Sequence, residues 1–371
     1  MDFIDLKAQQ RNIRDKIEKR IQSILDHGKY IMGPEVYELE EKLADYTGSK
    51  YCISCSSGTD ALLIPLMAKG IGPGDAVITT PFSYIATAEV ISLLGAEPVF
   101  VDIYPDTFNI NPSEIENAID YAKRKGLNPR AIIPVDLFGL PARYRLIQKV
   151  AKEYDLFILE DAAQGFGGSI RQKNAGSFGN VAATSFFPAK PLGCYGDGGA
   201  IFTDDEDLAL IMKSIRIHGS GSDKYENIRI GLNGRLDTFQ AAILLEKLNI
   251  FDQELILRND VATNYTKNIE PGLQTPFIPK EYSSSWAQYS LIAKSDLKRS
   301  KIMSILKKSN IPSMIYYRIP LHLQVVFEYL GYAKGDFPIS EKISSKIFSI
   351  PMHPYLTKNQ QDKVIEVLNN E

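Results

Sequence analysis

Short apolar runs alternate with stretches of helical periodicity through the first half of this chain. Residues 76–80, 98–102, 131–137, 156–161, 182–187 and 200–203 are short and mostly apolar, as strands buried on both faces require. Between the earlier runs, 60–69, 84–94, 112–125 and 144–154 repeat apolar residues at the 3.6-residue spacing of helices. That alternation predicts an α/β fold with a mostly parallel sheet covered by helices, and ligands at the carboxyl ends of its strands. A long helical segment, 237–268, leads out of this region. Beyond it a strand-like run at 286–293 precedes helical 298–309, 339–348 and 358–368. The pattern divides the chain into an N-terminal helix and arm over 1–35, a large domain over 36–250 and a smaller α+β domain over 251–371. A length of 371 residues, long for one hydrophobic core, agrees with that division.

Composition narrows the partners. The chain is 44% hydrophobic and 23% charged with a net charge of -3, and it carries no basic block. Nucleic acid and anionic membrane are therefore not expected as main partners. The opening Met-Asp-Phe-Ile-Asp-Leu-Lys lacks the charged start and apolar core of a signal peptide, and no apolar run has the length of a membrane span. Three cysteines do not make a disulfide framework, so a cytoplasmic location is expected. Cys52 and Cys55 form a lone C-x-x-C in an apolar segment and read as core. The four histidines, His27, His218, His322 and His353, have no metal-ligand spacing.

The expected strand ends carry the chemistry. Lys190 sits between the apolar Thr184–Phe187 run and a turn rich in glycine (Gly193, Gly196, Gly198, Gly199). Desolvation there would favour a free amine able to form a Schiff base. The plainer reading is a strand-end lysine reaching solvent along its methylene stem. Ser56-Ser-Gly-Thr-Asp60 opens a helix whose free N–H groups at Gly58 and Thr59 suit a phosphate, although a simple N-cap looks the same. Tyr84 puts an aromatic ring at the next strand end. Asp161, in Glu160-Asp-Ala-Ala-Gln164, is a carboxylate at the end of a buried strand and needs a cationic partner; capping the following turn is the alternative. Ser185 lies five residues before Lys190. A phosphate site, a stacking ring, a buried aspartate and a desolvated lysine together match the needs of pyridoxal 5'-phosphate.

The chain resembles the DegT/DnrJ/EryC1/StrS family of nucleotide-sugar aminotransferases over nearly its whole length. The resemblance rests on Gly28-Lys-Tyr-Ile-Met-Gly-Pro34, Ser57-Gly-Thr-Asp-Ala-Leu62, Glu160-Asp-Ala-Ala-Gln164, Ser185-Phe-Phe-Pro-Ala-Lys190-Pro-Leu-Gly193, Gly196-Asp-Gly-Gly199, Asn233-Gly-Arg-Leu-Asp237, Pro320-Leu-His-Leu-Gln324 and Pro351-Met-His-Pro354. It implies fold type I of the pyridoxal-phosphate enzymes, with Lys190 as the Schiff-base lysine and Asp161 at the pyridine nitrogen. Gln164 would contact the ring's phenolic oxygen and Tyr84 would stack on the ring. Gly58, Thr59 and Ser185 would hold the phosphate, with Asn233 reaching it from the neighbouring subunit of a homodimer. Gly28, Tyr30, Arg235 and the pair Tyr316-Tyr317 would line the sugar-nucleotide site.

The same resemblance implies a ping-pong transfer of an amino group from L-glutamate to a nucleotide-linked keto sugar. It is nearest to the members that aminate C3 of a UDP-linked 3-keto hexose or hexuronic acid in O-antigen synthesis. A dTDP-linked 3-keto or 4-keto 6-deoxyhexose, sugar dehydration on the same scaffold and a non-catalytic cofactor-binding protein are the alternatives. Three positions depart from the subgroup. Tyr316-Tyr317 stands where His-Tyr is common, Arg318 where a neutral residue is expected, and Asp136 where His or Ser is more usual. Arg318 would suit a substrate carboxylate.

Overall fold

The apolar runs build a seven-stranded sheet in the computed structural model, which describes residues 1–223 and 225–370. Its strands are β1 (Tyr51–Cys55), β2 (Asp75–Thr79), β3 (Glu97–Phe100), β4 (Asn128–Ile132), β5 (Phe157–Asp161), β6 (Val181–Ser185) and β7 (Gly199–Thr203). They are ordered β1-β7-β6-β5-β4-β2-β3. β2 to β6 pair in parallel, and β7 runs antiparallel to both of its neighbours.

Side chains alternate across the sheet and feed two layers. Val181, Ala183 and Ile201 face a core made with the helices Gly58–Ala68, Ala86–Leu93 and Glu206–Arg216. Ala182, Ala200 and Phe202 face the opposite layer, built with the helix Pro34–Thr47 and the start of the helix Thr238–Asn268. Cys52 and Cys55 fall on opposite faces of β1, one in each core, which is the core role expected of them.

The 31-residue helix Thr238–Asn268 spans two cores. Its first half packs through Leu244, Leu245 and Phe251 beneath the sheet. Its second half, through Val261, Ala262 and Tyr265, joins a further core with the antiparallel pair Tyr289–Ile292 and Ile347–Ile350 and the helices Asp296–Lys308 and Lys358–Asn369. Among the described residues, no helix is long and apolar enough to cross a membrane.

Several boundaries differ from the sequence pattern for local reasons. The run at 131–137 yields a strand only to Ile132, because beyond Pro134 the chain turns at Asp136 into the short 3-10 turn Leu137–Gly139. The helical run at 339–348 ends at Lys346, and its last apolar residues pair as a strand with Tyr289–Ile292. β1 and the helices Pro34–Thr47 and Glu206–Arg216 add to the pattern.

Phe251 fixes the long helix to the sheet, stacking on Phe166 at 5.8 Å and tilted against Tyr46 at 5.6 Å. Replacing Phe251 with Ala should cost about 3–5 kcal/mol, read as a lower denaturation midpoint.

Candidate active site

The register of the sheet gathers the strand ends. Cys55 at the end of β1 and Ser185 at the end of β6 both pair with Gly199, and Asp161 at the end of β5 pairs with Ala183. The helix Gly58–Ala68 starts directly above. Ser57 caps it, its hydroxyl accepting from Asp60 N at 3.1 Å. The first-turn N–H groups of Gly58 and Thr59 have no acceptor within the helix. Gly58 is needed for the close approach: a Cβ there would lie 2.5 Å from Ser185 Cβ.

Lys190 is carried by the loop between β6 and β7. Lys190 N donates to Phe187 O at 2.8 Å, and Cys194 N closes the loop on Phe186 O at 2.8 Å. The buried Lys247 donates from Nζ to Gly193 O and lies 4.2 Å from the Tyr195 ring centroid. This support had no counterpart in the sequence reading. Burial lowers the Lys190 ammonium below its usual range, and the Asp161 carboxylate partly opposes that shift.

Asp161 is buried with both oxygens engaged. Thr87 Oγ1 donates to Oδ2 at 2.7 Å, and Ala163 N donates to Oδ1 at 3.1 Å. Burial raises its carboxyl; these two donors and the Lys190 charge pull it back. Gln164 is held in one orientation: Phe138 N donates to Oε1 at 2.7 Å, which leaves Nε2 to donate to Tyr317 OH at 2.9 Å. Burial also raises the Tyr317 phenol.

These groups line one cavity of about 460 Å³ that contains Gly58, Thr59, Tyr84, Asp161, Gln164, Ser185, Lys190, Tyr316 and Tyr317. Thr87 and Gln288 also line it. Thr87 was legible in principle, one helical turn after Tyr84; Gln288 gave no signal.

The other expected site residues lie elsewhere on this chain and are not in that lining. Gly28, at a positive φ of 68°, ends the first helix, its N–H donating to Ile24 O at 2.9 Å. Tyr30 stacks on Phe239 at 5.9 Å, and its carbonyl accepts from Thr238 N at 3.2 Å. Asn233 is exposed and accepts from Arg235 at 2.6 Å. The arm and the 233–238 segment thus form one surface beside the helix start, where Gly234 O accepts from Ser56 N at 3.0 Å. Arg318 is exposed, and its charge bears on Arg299.

A model of the DegT/DnrJ/EryC1/StrS aminotransferase family matches residues 11–369. The chain belongs to that family. It is 49% identical to the UDP-2-acetamido-2-deoxy-3-oxo-D-glucuronate aminotransferase of Pseudomonas aeruginosa, over 96% of both chains. A DegT DnrJ EryC1 StrS aminotransferase from Brucella abortus superposes with a TM-score of 0.97 at 49% identity, covering 100% of this chain and 99% of the other. NtdA from Bacillus subtilis, solved with the cofactor PMP bound, superposes with a TM-score of 0.89 at 30% identity over 99% of this chain and 82% of its own.

The fold is therefore type I of the pyridoxal-phosphate enzymes, and the chain is a pyridoxal-phosphate-dependent nucleotide-sugar aminotransferase. The residues present fit the cofactor. A helix start with no room for a side chain at Gly58 faces a strand-end hydroxyl, and a buried carboxylate and a desolvated amine share the same cavity.

Thr87→Val removes a donor to the ionised form of Asp161, so its carboxyl rises further. With Asp161 at the ring nitrogen, as the family resemblance implies, it would have to be ionised to hold a proton there, and the acid limb of the pH–rate profile should move to higher pH by about 1 unit.

Proposed function

We propose that the chain moves the amino group of L-glutamate to the C3 ketone of a UDP-linked 3-keto hexose or hexuronic acid. The observation that carries this reading is the 49% identity, over 96% of both chains, to a relative named for a UDP-linked 3-oxo-glucuronate. The product would serve an O-antigen or another surface polysaccharide. The three free, buried cysteines support a reducing cytoplasm.

Bound pyridoxal phosphate supplies a conjugated electron sink for the substrate carbon that gives up its proton. The chain's own groups do the rest. The N–H groups of Gly58 and Thr59, with the Ser185 hydroxyl, hold the phosphate against the helix start. Asp161, steadied by Thr87 and Ala163, keeps a proton on the ring nitrogen. Tyr84 covers one ring face, and Gln164 addresses the phenolic oxygen with Nε2 because Phe138 occupies Oε1. Desolvated Lys190 would hold the cofactor and, as a free amine, would carry the proton to and from the substrate carbon in both halves of the reaction.

The surface formed by exposed Gly28, Tyr30 and Asn233 with half-buried Arg235, outside the chain's own cavity lining, supports a homodimer. In it Asn233 would reach the partner's phosphate, with Gly28, Tyr30 and Arg235 against the sugar nucleotide. Arg235 and Lys29 would meet its diphosphate. Tyr316 and Tyr317, from the chain's own side, would face the sugar.

Glutamate should convert the bound cofactor's absorbance from the pyridoxal to the pyridoxamine form. A UDP-linked 3-keto uronic acid should restore it better than dTDP-linked 6-deoxy ketones. No change with any amino donor would refute the aminotransferase reading, and preference for a dTDP sugar would refute the substrate. Lys190→Ala should lose turnover while still binding pyridoxal phosphate.

A further inference from the structure

Behind Asp161 the chain buries two more carboxyl groups that the transfer reaction does not use. Glu160 and Asp161 are consecutive in β5, so their side chains leave opposite faces. Asp161 opens onto the cavity. Glu160 is fully buried, with Gly176 N donating to one oxygen at 2.5 Å and Phe178 N and Gly179 N donating to the other at 2.6 and 3.3 Å. Asp136 is equally buried. Its Oδ1 accepts from Ala142 N at 2.9 Å and from Tyr144 OH at 2.7 Å, but its Oδ2 receives no donor. The side chain that meets it is Glu160.

We propose that Asp136 and Glu160 share a single proton, carried on Asp136 Oδ2 and donated to Glu160, and that this acid–carboxylate pair positions Asp161 and Gln164. Two buried carboxylates in contact cannot both stay charged without a cation. Among the described residues no ion pair reaches either one. The titratable groups around Asp136 are Tyr144 from the helix Tyr144–Glu153, Glu160 from β5, Asp161 acting on Tyr144 across the same space, and Tyr282 from the Tyr282–Ser283 strand. Three N–H donors favour the charged form of Glu160, so the proton belongs to Asp136, where it also satisfies the orphaned oxygen. Burial accordingly holds Asp136 well above the usual carboxylate range and Glu160 up to about 7.

The pair works as a strut between two loops. Asp136 N donates to Asp161 O at 3.0 Å, and Asp161 N donates to Pro134 O at 2.9 Å. The turn that starts at Asp136 delivers Phe138 N to Gln164. Asp136 also packs under the next residue, since a Cβ at Gly165 would lie 2.4 Å from Asp136 Cβ. Glu160 ties the same point to the 176–179 turn leading into β6. The placement of the proton is independent of the substrate; the positioning role rests on Gln164 meeting the cofactor.

A carboxyl raised in the folded state lends stability that is full below its unfolded value and is lost as pH rises through its folded value. The holoenzyme's thermal midpoint should therefore fall as pH rises from about 4, where the unfolded carboxyls ionise, through the raised folded values. Asp136→Asn supplies a permanent donor to Glu160 and should flatten that slope. It should keep pyridoxal phosphate affinity within about twofold, whereas Asp136→Ala should lose roughly tenfold. Glu160→Gln turns an amide N–H toward backbone N–H groups and should lower the midpoint throughout. A flat wild-type curve, an Asp136→Asn variant with unchanged slope, or one as weak in cofactor binding as Asp136→Ala overturns the proposal. So does a tolerated Glu160→Gln beside a damaged Asp136→Asn. Should the variants fail to fold, infrared spectra of the wild-type protein decide: a protonated-carboxyl carbonyl band at neutral pH is expected, and its absence overturns the proposal.

Discussion

A carboxylate buried at the end of a central strand is a liability unless the fold supplies it with donors and a cation. Asp161 at the end of β5 has Thr87 and Ala163 as donors and the Lys190 charge opposite. Burial acts on both members of this pair in opposite senses, raising the carboxyl and lowering the ammonium. The Thr87 and Ala163 donors and the Lys190 charge favour the negative form of Asp161 against that burial, while burial leaves the amine ready to give up its proton. An amine so lowered would not exist on an open surface.

The rest of the site follows from how closely the strand ends approach one another. Antiparallel β7 passes between β1 and β6, so Gly199 faces Cys55 on one side and Ser185 on the other. That brings the start of the helix Gly58–Ala68 over Ser185, with no space for a side chain at Gly58. In the proposed placement the cofactor's phosphate would meet the ends of β1 and β6 and its ring the end of β5. Lys190 enters from the loop that Cys194 N closes and Lys247 supports. Tyr316 and Tyr317 close the same cavity from the second core, whereas the arm and the 233–238 segment lie outside its lining.

Much of this was legible in the sequence because a parallel sheet places its ligands at the carboxyl ends of strands, and strands buried on both faces show as apolar runs. Lys190, Asp161, Gln164, Ser185, Tyr84, Gly58 and Thr59 all sit at such ends, and the structure brings them into one cavity. Contacts made between elements distant in sequence were not legible. The Thr87–Asp161 and Gln164–Tyr317 bonds, 74 and 153 residues apart, depend on strand order and on how the second core closes against the sheet. Asp136 drew notice as a departure from the family, but its meeting with Glu160 needed the fold to show it. Arg318 lies exposed and outside the lining of that cavity, which its place next to Tyr317 in sequence did not reveal.

The central claim is that the desolvated Lys190 amine carries the cofactor. Borohydride reduction of the pyridoxal-phosphate-loaded protein, followed by peptide mass mapping, tests it directly. A single phosphopyridoxyl label on Lys190 is the predicted result; a label on another lysine, with Lys190 unmodified, would contradict the account.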